Sequence, residues 1–313
     1  MTLFIFTAGR LVYRLAMGNL TTNDMKHYRK LYLTIALISC VYTLRAGGGW
    51  PAAKGSTYLK FNQFVIRSDD YFNPDGDIIS ISTSSIYLTS VYAEHGITDK
   101  LTGIVYLPFF ARATLNEQKS ASTGEILQPG DAVNSIGDAD VTFKYGLITG
   151  KPIVVSAGIT FGLPLGNPEG GDTGVLQTGD GEFNVMLTIE ASRSFNGGKG
   201  YVNTLIGYNN RSNNFSDEFR IGAEVGYRIV PKLLTALKLY SVNSLNNGDD
   251  LETPSNGIFS NNIEYLAVTP EVNYFFNESS GISAAVGFAP YGRRVLASPS
   301  YSLGVFFNFT GKK

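Results

Sequence analysis

Two histidines, His27 and His95, and one cysteine, Cys40, are all that this chain of 313 residues holds for imidazole or thiol chemistry. A histidine-rich metal centre needs several such ligands together, and a nucleophilic serine needs a base within hydrogen-bond reach. A lone cysteine makes no internal disulfide. No glycine-rich phosphate loop, zinc spacing or catalytic-triad signature occurs. The sequence therefore assigns no catalytic residue, no metal ligand and no cofactor. What it offers instead is charge at alternate positions of apolar runs. In "EFRIGAEVGYRIV", Glu218, Arg220, Glu224 and Arg228 alternate with Phe219, Ile221, Ala223, Val225, Tyr227 and Ile229. That is the period-2 mark of a strand whose two faces meet different surroundings.

The elements that carry these charges repeat the pattern. Ile153, Val155, Ala157, Ile159, Phe161 and Leu163 share one face, with Ser156, Gly158 and Thr160 on the other. Phe183, Val185, Leu187, Ile189 and Ala191 oppose Glu182, Asn184, Thr188 and Glu190. Tyr301, Leu303, Val305, Phe307 and Phe309 form a last stripe opposite Ser302, Gly304 and Asn308. Charged residues are 16% of the chain, well under the usual quarter, while Phe (20), Tyr (18) and Gly (35) are abundant. That composition suits an all-β protein with many turns. A net charge of −1 gives no reason to expect nucleic acid as a partner.

The N-terminal region reads as a leader. From Met25, the basic Lys26, Arg29 and Lys30 precede an apolar stretch from Leu31 to Leu44, and Ala46–Gly47 offer a small-residue cleavage site. This is the pattern of a secretory signal peptide over 25–46, too short for a membrane span. Residues 1–24 then precede the true start, and 47–313 form the mature domain. "LISC", ending at Cys40, also fits a lipoprotein pattern; the reading adopted is cleavage after Ala46.

Twelve strands are expected, at about 56–68, 78–94, 100–113, 138–149, 152–164, 182–194, 201–211, 218–230, 232–242, 262–276, 282–291 and 300–310. Their connections alternate between short turns (96–100, 149–151, 195–200, 231–232, 277–281) and longer loops, chiefly 69–77, 114–137, 166–180 and 244–260. Segregating short turns from long loops is the asymmetry of a transmembrane antiparallel β-barrel with short periplasmic turns and long extracellular loops. A soluble sandwich has no need of it. The final aromatic stripe is then expected to face lipid.

Three stretches carry a family resemblance: "GGGWPAAKGSTYLKFNQ" (47–63), "YAEHGITDKLTGIVYLPF" (92–109) and "IGDADVTFKYGL" (136–147). In this order they resemble the MetA-pathway of phenol degradation family of bacterial outer-membrane proteins, over most of residues 47–309. The resemblance implies an outer-membrane barrel importing small hydrophobic or aromatic compounds, distantly similar to fatty-acid and toluene import barrels. The chain's end resembles the signal read by the barrel-insertion machinery, although Thr310-Gly311-Lys312-Lys313 follow Phe309.

Alternation makes Lys60, Arg112, Asp138, Asp140, Lys144, Glu182, Glu190, Arg211, Glu218, Arg220, Glu224, Arg228, Lys238, Glu271 and Arg293 candidates for the lumen lining. Tyr106, Phe110, Tyr265, Phe275 and Tyr291 are candidates for an apolar passage. The functional expectation is a passive outer-membrane channel whose ligand is a small hydrophobic or aromatic compound. The alternative is a barrel plugged by paired charges, with loops 114–137 and 244–260 meeting a partner. Residues 47–55 read as a linker, with entry into the lumen from the periplasmic end as the alternative, and "FNPDGD" (72–77) as a turn rather than a calcium loop. A lipid-hydrolysing barrel is disfavoured, because His95 sits beside a short turn, at the wrong end for outer-leaflet substrate.

Overall fold

The computed structural model describes residues 48–249 and 259–311. The leader at 25–46, the preceding residues 1–24, His27 and Cys40 lie outside the described residues. Twelve long strands run up and down in chain order. They are β1 (Thr57–Phe72), β2 (Ile78–Gly96), β3 (Leu101–Leu115), β4 (Ala139–Ile148), β5 (Ile153–Leu163) and β6 (Asn184–Phe195). They continue with β7 (Gly200–Arg211), β8 (Glu218–Val230), β9 (Leu233–Ser244), β10 (Glu264–Asn277), β11 (Ser280–Arg293) and β12 (Ser300–Phe309). Every neighbouring pair is antiparallel, and β1 pairs with both β2 and β12, so the sheet closes into a barrel. The closing register runs from Thr57↔Phe309 to Ile66↔Ser300. Each expected strand is found, with ends displaced by a few residues.

Alternation sorts the two faces. Phe143, Leu187, Ile206, Ile221, Val225, Tyr301, Leu303 and Val305 are exposed on the outside. Lys144, Ser156, Thr188, Ser192, Asn209 and Glu218 are buried inside. This inverts the arrangement of a water-soluble domain: the apolar wall is the outer one, and the polar groups are enclosed. The stripe on the last strand is part of that outer belt.

Register shifts occur in several strand pairs, and two of them, each at a proline, decide where candidate side chains point. Between β2 and β3 the register slips, from Val91↔Leu107 to Thr89↔Phe110, with Pro108 and Phe109 in the bulge. Proline has no N–H to give the ladder, and one extra residue inverts every side chain beyond it. Below the bulge Thr102, Ile104 and Tyr106 face in; above it Ala111 and Ala113 do, and both are buried. Between β10 and β11 the register moves from Val268↔Phe288 to Leu266↔Tyr291, with Ala289 and Pro290 in the gap. Gly292, opposite Tyr265, then faces in against Phe72 and Val295.

Above β4 the chain forms a short strand, Asp131–Ser135, that pairs with the upper end of β3. Gly137 N–H donates to Pro108 O at 2.8 Å and fixes the break between this strand and β4. The expected loop 114–137 is therefore partly ordered, with a small hairpin pairing Gln118–Lys119 with Ile126–Gln128. At 72–77, Asn73 Oδ1 accepts from the N–H groups of Asp75 (2.9 Å) and Asp77 (2.8 Å), a side-chain-closed turn.

A test of the two faces follows from β8. Val225→Arg, on the outer belt, is expected to cost about 2–4 kcal/mol of folding free energy in a bilayer. Glu224→Gln, one residue away on the inner face, leaves insertion intact. Urea titration in phospholipid vesicles reads both variants, and equal losses would reverse the faces assigned here.

Candidate functional site: the barrel lumen

The lumen is built in layers. At the short-turn end, Gly48–Ala52 do not hang as a linker; they enter the barrel and are held by side chains from β3 to β7. Lys144 Nζ donates to Gly48 O at 2.6 Å and Ser156 Oγ to Gly49 O at 2.6 Å. Gly49 N–H donates to Ser192 Oγ (2.8 Å) and Asn203 Oδ1 (3.1 Å), and Ala52 N–H to Thr102 Oγ1 (2.8 Å). The Trp50 ring meets Tyr201 edge-on at 6.2 Å. Gly48 has φ +66°, and a Cβ there would stand 2.7 Å from Asn203 Cγ. Glycine alone allows both the conformation and the approach. A buried backbone must find partners for its N–H and C=O groups, and here the inner wall supplies them.

Next comes an aromatic layer. Tyr58 packs on Phe306 (6.1 Å) and Tyr92 (6.2 Å), and Phe306 on Phe275 (5.1 Å). Tyr92 OH donates to Glu94 at 2.5 Å, and Tyr201 OH donates to Glu224. The Arg228 guanidinium lies over the Phe275 ring at 4.6 Å.

At mid-height Lys238 Nζ lies 3.0 Å and Lys60 Nζ 3.8 Å from the same oxygen of Glu271. Asn273 donates to the other oxygen at 2.9 Å. Lys60 reaches Glu271 by crossing β12 and β11, where Gly304 leaves space: a Cβ there would be 2.7 Å from Lys60 Cε. Glu190 is in the field of Lys144, and Asp140 in that of Arg220.

Toward the long-loop end Arg211 binds three carboxylates: Glu182 through Nε (2.7 Å), Asp180 through Nη2 (2.8 Å) and Glu218 through Nη1 (3.0 Å). Its guanidinium also covers the Phe215 ring at 4.4 Å. Arg220 pairs with the second oxygen of Glu218 at 2.7 Å. Asp138 accepts the N–H groups of Gly166 and Asp180, each at 2.8 Å, and so ties the loop after β5 to the inner wall. A separate apolar cluster of Ile66, Ile86 and Leu296, with Phe64 and Leu88, covers the inner face of β1 and β2.

Of the sequence candidates, Lys60, Asp138, Asp140, Lys144, Glu182, Glu190, Arg211, Glu218, Arg220, Glu224, Arg228, Lys238 and Glu271 stand on the inner side, as do Tyr106, Tyr265 and Phe275. Four do not. Phe110 and Arg112 follow the Pro108 bulge and face outward, Phe110 at 43% exposure. Tyr291 and Arg293 follow the Pro290 bulge and meet Glu264 on the outer face, at 2.8 Å and 3.8 Å. Glu94, Tyr58, Tyr92, Tyr201 and Phe306 belong to the lumen and were not among the candidates. The parity of their strands was the available signal, since Tyr58 is two residues from Lys60 and Tyr201 an even number from Arg211 on the same strand. His95 bonds Thr57 Oγ1 through Nδ1 at 2.8 Å, beside the first short turn.

Comparison with solved structures places the fold. The chain is similar to the COG4313 outer membrane channel from Pseudomonas putida F1, at 14% identity and a TM-score of 0.55, over 84% of this chain and 99% of that one. The NanC porin aligns at 10% identity and a TM-score of 0.49, over 80% of this chain and 98% of that one. The KdgM porin aligns at 9% and 0.45, over 81% and 99%. No protein-family model matches the sequence, and no curated protein matches it. The first similarity shows an outer-membrane-type barrel.

Two predictions concern the upper cluster. Removing the Arg211 side chain with Arg211→Ala strands three carboxylates in a buried site, at a cost of about 3–5 kcal/mol. A loss under about 1 kcal/mol in denaturant unfolding would mean that the cluster is not buried as described. Asp180, in the loop after β5, is pushed up to about 6 by burial, with Arg211 opposing the rise and Asp138 adding to it. A folded value above the ordinary carboxylate value gives stability that is present at low pH and lost as pH rises through about 6. The melting temperature should therefore be higher at pH 5 than at pH 7 by an amount that Asp180→Asn abolishes; an unchanged difference in that variant would remove Asp180 as its source.

Proposed function

We propose that this chain is an outer-membrane channel that admits small hydrophobic or aromatic compounds through a narrow lumen, with residues 48–52 restricting its periplasmic mouth. The observation that carries the reading is the aromatic layer of Tyr58, Tyr92, Tyr201, Phe275 and Phe306 directly above that strap. Flat rings in a polar lumen give an apolar solute stacking surface, while nearby Lys60, Lys238 and Arg228 offer cationic edges. The apolar outer belt and closed sheet support a bilayer location, since a hydrocarbon environment tolerates no open sheet edge. The leader and the family resemblance support the same place, with the long loops outside and the last strand presented to the insertion machinery.

A second reading has its own support. Lys144, Glu182 and Glu218 are almost completely buried, as expected of a barrel plugged by paired charges whose loops meet an external partner.

Single-channel recording in a planar bilayer separates the two. A steady conductance that phenol or toluene blocks in a concentration-dependent way supports the channel. A correctly folded barrel without conductance supports the plugged reading. Trp50→Ala, combined with deletion of Gly48 and Gly49, is expected to raise the conductance. The same value as wild type would mean that the strap does not restrict the path.

A further inference from the structure

The outer wall is not apolar throughout. A groove of about 680 Å³ lies on the outer faces of β1, β2 and β3, lined in part by Arg67, Ser85, Tyr87, Phe110, Arg112 and Thr114. These side chains point away from the lumen. Their chain neighbours of the opposite parity, Ile66, Ile86, Ala111 and Ala113, are the buried inner ones. Register places Arg67 opposite Ser85, and Arg112 opposite Tyr87. The two arginines therefore flank β2, two strand spacings across and two residues along it, about 12 Å apart at the backbone. Side chains of that length can reach one anionic group held over Ser85 and Tyr87.

Neither arginine is in an ion pair among the described residues. Arg67 makes no hydrogen bond or ion pair among the described residues. Arg112 donates to Asn134 Oδ1 at 2.8 Å and has no carboxylate partner. Asp131 also lines the groove; the N–H groups of Ala132, Asp172 and Thr173 and the Thr173 hydroxyl hold its carboxylate ionised, so the lining carries two positive charges and one negative.

Height matters as much as charge. Arg67 is ten residues up β1 from Thr57, which at the usual rise and tilt is roughly 25 Å above the short-turn end. That is the thickness of the apolar band of an outer-membrane barrel. Below the arginines the same wall exposes Phe61, Val105, Phe109 and Phe110. Two cations above an apolar wall complement an amphiphile with an anionic head and acyl chains. A second copy of the chain fits worse, because a two-fold contact on this patch would bring arginines against arginines.

We propose that this groove binds a phosphorylated lipid of the outer leaflet, its phosphate between Arg67 and Arg112 and its acyl chains along the Phe61–Phe110 wall. The proposal rests on the outer-membrane reading above. Guanidinium groups suit it, because their forked donors match phosphate oxygens.

The test uses the full mature chain refolded in detergent micelles and titrated with diphosphoryl lipid A, with retained lipid counted by native mass spectrometry. Wild type should retain one lipid A in preference to phosphatidylcholine. Arg67→Gln/Arg112→Gln should lower lipid A affinity at least tenfold. Thr114→Glu, which sets a carboxylate across β2 from Arg67, should lower it as well. Lys151→Gln/Arg193→Gln, at the other end of the barrel, should not. Heat-modifiable migration on a gel confirms that each variant is folded. Unchanged lipid A binding in both groove variants would overturn the proposal, as would displacement of lipid A by inorganic pyrophosphate at equal concentration, which would make this a site for free anions. Insertion into phosphatidylcholine vesicles is scored separately: a barrel that inserts there but shows no lipid A preference loses this site and keeps its membrane assignment.

Discussion

The pairing of β1 with β12 is the constraint on which the rest of the molecule depends. Ten register pairs, from Thr57↔Phe309 to Ile66↔Ser300, join the two ends of the sheet and leave its barrel wall without an edge. Once the sheet is closed, each strand divides its side chains between an outer wall and an enclosed one. In a bilayer the outer wall gains by being apolar, which accounts for Ile206, Ile221, Leu303 and their neighbours. The inner wall receives everything else, including most of the charge of the strands.

Enclosed charge must be satisfied locally, and the layers of the lumen are the ways in which this chain does so. Arg211 answers three carboxylates, and Arg220 completes Glu218. Glu271 answers two lysines. Lys144 and Ser156 spend their donors on the carbonyls of Gly48 and Gly49. Such pairs are poor sources of net stability, because desolvation offsets much of the attraction. Their consequence is geometric, since each one fixes where a loop, a strap or a neighbouring strand can lie. Small residues make this possible. Gly304, Ser302 and Ser283 on the inner faces of β12 and β11 leave the space through which Lys60 reaches β10.

Much of this was legible in the sequence. Twelve strands, their order and the short and long connections followed from period-2 alternation and turn residues. The inner position of most charged candidates followed from parity alone. The failures are local and have a shared cause. Phe110, Arg112, Tyr291 and Arg293 were assigned by extending a strand's parity across Pro108 or Pro290, and parity does not survive a bulge. A proline inside a strand pattern was the visible warning. The strap at 48–52 was hidden for a different reason. Its partners, from Thr102 to Asn203, are scattered through more than a hundred residues and converge only when the barrel closes. Asp180 was hidden likewise, as a loop residue whose neighbours Asp138 and Arg211 come from the upper ends of two strands distant in the chain.

The two obstructions of the lumen share one wall. The strap is held by Thr102, Lys144, Ser156, Ser192 and Asn203, all on β3 to β7. The loop cluster at the other end is held by Asp138 and Arg211, at the upper ends of β4 and β7. The facing wall, β10 to β12, carries Gly281, Ser283, Ala285, Ser302 and Gly304 on its inner side. Space in a barrel of this size is set by side-chain volume, and here the small residues are what larger inner side chains pack over. A Cβ at Gly281 would stand 2.4 Å from the Phe306 ring, and one at Gly304 2.7 Å from Lys60 Cε. The small residues of this wall therefore seat an aromatic surface, Phe275 and Phe306, beside a charged triad, Lys60, Glu271 and Lys238.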